Sequence, residues 1–141
     1  MTITRKIPVT AAALASLAIA GTASAAQAPT LGSLTIIKAG QKTPIDVAGN
    51  NLHQGARIRK GTELRRWLVT MHGPSNANVT LKCEPRGKHL GLGQQEGAKV
   101  VFGLSKGSSY GHRTIKVKFR ARPDVDPNRA RASVYSLCTT R

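Results

Sequence analysis

Residues 32 to 141 alternate short apolar stretches with clusters of turn formers, and where the apolar residues repeat they do so at every second position. The sharpest case is Thr114 to Arg120, with Ile115, Val117 and Phe119 on one face and Thr114, Lys116, Lys118 and Arg120 on the other. Asn78 to Cys83 alternates in the same way, setting Val79, Leu81 and Cys83 against Asn78, Thr80 and Lys82. Glu63 to His72 puts Trp67, Val69 and Met71 opposite Leu68 and Thr70, and Lys99 to Leu104 puts Val100, Phe102 and Leu104 opposite Val101 and Gly103. Shorter strands are predicted at Leu34 to Ile37 and Ile45 to Val47, and a last one at Ala132 to Cys138. Leu52 to Lys60 reads as a loop or an edge. Glu84 to Gly97 reads as a glycine-rich connection, and Gly73-Pro74-Ser75-Asn76, Ser105 to Gly111 and Arg122 to Pro127 read as turns and loops.

Seven short strands with no amphipathic helix predict two antiparallel sheets packed face to face, a small Ig-like β-sandwich. A small closed β-barrel is the alternative, since a strand count does not separate the two.

The first 25 residues have a different composition. Arg5 and Lys6 precede an apolar run from Ile7 to Ala20, Gly21 breaks it, and Ala23-Ser24-Ala25 offers small residues to a signal peptidase. This predicts an export leader cut between Ala25 and Ala26, a disordered tail over residues 26 to 31, and one β-domain over residues 32 to 141. The run is shorter than the roughly 20 residues of a membrane-spanning helix, so a secreted, extracellular protein with no transmembrane segment is expected. In an oxidising compartment two cysteines with no other thiol predict one bridge, Cys83 to Cys138. Cys83 shares its face with Val79 and Leu81, so that bridge should lie in the core. The Cys-Trp-Cys order of antibody domains is absent, because Trp67 precedes both cysteines.

Charge adds a surface property. The chain has 22 Lys and Arg against 6 Asp and Glu, and loss of Arg5 and Lys6 with the leader leaves 20 against 6, or +14. Such an excess attracts polyanions, here anionic cell-wall or cell-surface polymers, and it also keeps a monomer soluble by self-repulsion. The outward stripe Lys116, Lys118 and Arg120, continued by Arg122, is the candidate binding surface, against the alternative of a solvated sheet face. The aromatic residue between these cations, Phe119, falls on the inward face, so none stands among them to stack on bases, which argues against a specific nucleic-acid target.

Catalytic and metal signals are weak. Gly103-Leu104-Ser105-Lys106-Gly107 has the letters of a nucleophile elbow, but that chemistry needs a strand-to-helix turn in a larger α/β scaffold. Gly91-Leu92-Gly93-Gln94-Gln95-Glu96-Gly97 has Glu96 where a dinucleotide fingerprint requires its third glycine. His53, His72, His89 and His112 lie on different connections with no ligand spacing, and Asp124 and Asp126 have no third acid nearby. No catalytic residue, metal or cofactor is predicted.

The export leader together with Leu68-Val69-Thr70-Met71, Val79-Thr80-Leu81-Lys82-Cys83, His89-Leu90-Gly91-Leu92-Gly93 and Val134-Tyr135-Ser136-Leu137-Cys138 resembles small secreted actinobacterial proteins of unassigned function. That likeness spans residues 60 to 141 and implies a fold, not a site. A fainter likeness, Val79 to His89 only, is to secreted subtilisin inhibitors; this chain has two cysteines where they have four, so no inhibitory residue carries over. The expectation is a secreted, basic, non-enzymatic β-domain, with a protease inhibitor and a small serine hydrolase using Ser105 as alternatives.

Overall fold

The computed structural model describes residues 28–141; the expected leader and its cleavage site, Ala25 and Ala26, lie outside them. Seven strands follow one another: β1 (Thr30–Ile37), β2 (Thr62–Thr70), β3 (Asn78–Lys82), β4 (His89–Gln94), β5 (Val100–Leu104), β6 (Thr114–Ala121) and β7 (Arg131–Thr139). They form two antiparallel sheets, one ordered β1-β2-β7-β4 and the other β3-β6-β5. The described residues contain no helix long and apolar enough to cross a membrane.

The sheets close on each other through residues of a single parity. From the four-stranded sheet come Trp67 and Val69 of β2, Leu92 of β4 and Val134 of β7, with Met71 just beyond β2. They meet Leu81 of β3, Val100 of β5, and Ile115, Val117 and Phe119 of β6. Phe102 lies against Phe119 with ring centroids 6.2 Å apart, a tilted aromatic pair. Each large side chain withdrawn from water here contributes about 1.5–3 kcal/mol. The Cys83–Cys138 bridge spans the two sheets at a Cα separation of 5.9 Å, and both cysteines are fully buried.

This four-plus-three layout matches an immunoglobulin constant domain, but the connectivity does not. An antibody domain pairs its fifth strand between the second and fourth and sets its seventh beside the sixth. Here β7 sits between β2 and β4, and β5 pairs with β6.

The strands are not all those the pattern predicts. Ile45 to Val47 is not a strand. Thr43, Ile45 and Val47 do alternate inward, but they cap the outer face of the four-stranded sheet, where Ile45, Val47, Leu52 and Ile58 pack on Leu64, Tyr135 and Leu137. Only isolated bridges form there, Val47 with Leu52 and Ala48 with Leu92, because the chain turns back at Gly49 and Asn51, both at positive φ. The seventh strand is instead β4, inside the stretch predicted to be a glycine-rich connection. Its glycines are a packing device: a Cβ at Gly91 or Gly93 would collide with the carbonyl oxygens of Ala48 and Asp46 in the covering segment. At the other end of the sheet β1 starts at Thr30, paired with Thr70, so pairing begins inside the predicted tail. A register shift between Gly32 and Thr35, with Ser33 at φ 52°, leaves Leu34 and Ile36 50% and 42% exposed.

Candidate functional site

Strand β6 carries the basic stripe. Its apolar residues fill the core, so strand alternation forces Lys116, Lys118 and Arg120 outward, and all three are exposed. Because β6 is the middle strand of its sheet, the three cations stand along the centre of a face that no other described segment covers. Opposite them are neutral side chains: Thr80 faces Lys116, Asn78 and Gly103 flank Lys118, and Val101 faces Arg120. The cations therefore run single file, about 6.6 Å apart. Among the described residues none of the three takes part in an ion pair, the pairs being Arg65–Glu63, Lys82–Glu84, Arg122–Asp124 and Arg129–Asp126. Arg122 extends the ladder by one step, its amide donating to the Lys99 carbonyl at 2.9 Å. Its guanidinium is 4.0 Å from Asp124, which partly offsets its charge.

Ser105 lies just past β5. Its hydroxyl donates to Asn78 Oδ1 at 2.5 Å, tying β3 to the end of β5 across β6, and the Ser108 amide donates to the Ser105 carbonyl to close a turn. A strand follows it, β6. Asp124 and Asp126 occupy a solvated loop, where Asp126 Oδ1 accepts from the Asn128 amide at 3.0 Å. His53 and His112 are exposed, and His72 contacts the Thr30 hydroxyl at 3.1 Å.

The fourth histidine is different. His89 opens β4 opposite Cys138, and both it and Ser136 are fully buried. Its Nε2 is 3.0 Å from the Leu81 carbonyl oxygen, which can only accept, so Nε2 carries the proton. Nδ1 is then the acceptor: the Ser136 hydroxyl donates to it at 2.5 Å, and Cys138 Sγ lies 4.0 Å away. Burial lowers the His89 pKa from its usual value, and the nearby positive charge of Arg65 adds to the effect.

Arg65 belongs to the same cluster. It sits on β2 opposite Ser136, nearly buried, and donates to Glu63 at 2.7 Å. Its two terminal nitrogens donate to the carbonyls of Lys82 and Glu84, the residues on either side of Cys83. A cation from one sheet thus holds the backbone around the bridging cysteine of the other.

The structure keeps the predicted stripe together on one open face and joins the two predicted cysteines. Motif spacing does not reveal the cluster of Arg65, His89 and Ser136 around that bridge. One signal for it is legible along the chain: Glu63 and Arg65 share parity with Trp67, Val69 and Met71, which puts charges on an inward face. His89 leaves no such trace, because glycines disguise the strand that buries it.

No family model, curated protein or solved structure matches the chain.

Proposed function

We propose that this chain is an exported, strongly basic, non-enzymatic β-domain that holds linear anionic polymers of the cell wall or cell surface. The contact row is Lys116, Lys118 and Arg120, with Arg122 at its end. One observation carries the reading: three cations, without ion-pair partners among the described residues, stand in single file along the middle of an uncovered sheet face. An extended chain of phosphates laid along β6 meets a cation at each alternate residue, and each phosphate neutralised releases a counterion. The neutral, small neighbours Gly103, Thr80 and Asn78 leave that line unobstructed. The face presents no aromatic side chain for base stacking, so a nucleic acid would be held only by its backbone. Ser105, engaged with Asn78 in a strand-to-strand connection, lacks the histidine contact that would activate a serine nucleophile.

Inorganic polyphosphate is the test ligand. Changing Lys116, Lys118 and Arg120 to Gln should lower the slope of log affinity against log salt by about two to three charges' worth. The matched control is Lys38, Lys42 and Lys60 to Gln, which removes equal charge from the exposed segment covering the opposite side of the sandwich. Equal losses in the two variants would reduce the stripe to a share of net charge.

A further inference from the structure

We propose that the Cys83–Cys138 bridge is also a redox-gated metal site: in the dithiol form, the two cysteine sulfurs and His89 Nδ1 bind one zinc ion. The three donor atoms lie within 4.8 Å of one another, and all three residues are buried. They come from three separate parts of the fold: the end of β3, the start of β4 and the end of β7. A tetrahedral zinc with bonds of about 2.3 Å to sulfur and 2.0–2.1 Å to nitrogen needs sulfurs about 3.7 Å apart and a sulfur–nitrogen distance of about 3.6 Å. Nδ1 is already 4.0 Å from Cys138 Sγ. Once unbonded, the sulfurs can part by side-chain rotation over a Cα separation of 5.9 Å.

Neighbouring groups fix the protonation state and the placement of these donors. The Leu81 carbonyl holds the Nε2 proton and so leaves Nδ1 unprotonated, as the outer partner of a metal-bound imidazole does. The Ser136 hydroxyl, which donates to Nδ1 at 2.5 Å, gives up that bond when Nδ1 takes zinc, and its oxygen is then a candidate fourth ligand. Arg65, paired with Glu63 and bound to the carbonyls on both sides of Cys83, fixes the backbone that carries one of the two sulfurs.

The dithiol form exists before the bridge first closes, or after a dithiol reductant donates two electrons and two protons to it and is itself oxidised to a disulfide. Zinc then displaces the two thiol protons. A disulfide oxidant that takes two electrons from the sulfurs, and is itself reduced to a dithiol, re-forms the bridge and releases the ion.

The test uses the full mature chain, reduced with a phosphine and handled without oxygen, with Co²⁺ as spectroscopic probe and Zn²⁺ as competitor. The expected result is one Co²⁺ per chain with thiolate charge-transfer bands, displaced by Zn²⁺, and none bound by the oxidised protein. His89→Gln should weaken binding by more than the about 10–100-fold that loss of an outer-shell partner costs, and Zn²⁺ should shield both thiols from alkylation. A folded dithiol protein that binds no Co²⁺, or a His89→Gln variant that binds as well as the parent, would overturn the proposal. If reduction unfolds the chain, one equivalent of Zn²⁺ should restore its β-sheet circular dichroism. Metal uptake without that recovery would equally overturn it.

Discussion

Gly91 of β4 packs directly beneath the carbonyl oxygen of Ala48, so close that any side chain at this position would have to displace the segment above it. Gly93 stands in the same relation to Asp46. The two glycines let residues 46 to 48 lie flat on the sheet, and Ala48 then pairs with Leu92 in both directions, at 2.8 and 3.1 Å. That one bridge protects part of the outer edge of β4.

Gly91→Ala and Gly93→Ala should each destabilise the protein by about 1–3 kcal/mol, as forced overpacking does. Gly103→Ala is the comparison, because Gly103 is also in a strand but nothing stands within 4 Å of its missing Cβ. It should be neutral, or stabilising by up to about 1 kcal/mol through the unfolded chain. Denaturant midpoints separate these outcomes, and equal losses at all three positions would show that the glycines matter only for flexibility.

Replacing Cys83 and Cys138 together by Ala should cost about 2–5 kcal/mol. The bridge closes a 55-residue separation and is the covalent link between the two sheets. Thermal unfolding of the double variant checks this. A melting temperature within a few degrees of the parent's would assign the hold between the sheets to the apolar core alone.

Acid should loosen this fold through His89. Its folded pKa is lowered from 6.5, so the unfolded chain takes up a proton that the native protein resists. Stability is therefore complete above about pH 6.5 and is lost as the pH falls from there toward the folded value. Arg65 is the charged group that reinforces the effect. Unfolding free energies measured from about pH 7.5 to about pH 5 should slope downward in the parent and less steeply in His89→Gln. Parallel slopes would place the acid sensitivity elsewhere.

Ser105→Ala should cost about 1 kcal/mol through its lost bond to Asn78. Esterase and peptidase screens should read the same for variant and parent. A turnover present in the parent and absent from the variant would make Ser105 a nucleophile and end the non-enzymatic reading.

Strand periodicity is legible wherever side chains can report it. The alternations of β2, β3, β5 and β6 place Trp67, Leu81, Val100 and Phe119 inward on spacing alone, and they place Lys116, Lys118 and Arg120 outward. The two cysteines specify their own bridge because no other thiol competes. β4 is hidden for a physical reason: its alternation is of leucine with glycine, and a glycine reads as a turn when it is instead making room for a neighbouring backbone. The alternation at Ile45 misleads for the opposite reason, since a covering loop buries every second side chain as a strand does but has no continuous partner to pair with.

The sequence by itself determined the fold class, the inward and outward faces of most strands, the bridge and the excess of positive charge, because each depends on local spacing or on composition. Only the tertiary structure decided that β5 and β7 take the sheets they do, that the chain from Lys38 to Gly61 forms an outer layer, and that Arg65, His89 and Ser136 converge on Cys83 and Cys138. Those outcomes depend on which distant strands pair, and pairing is settled by long-range packing that no window along the chain contains.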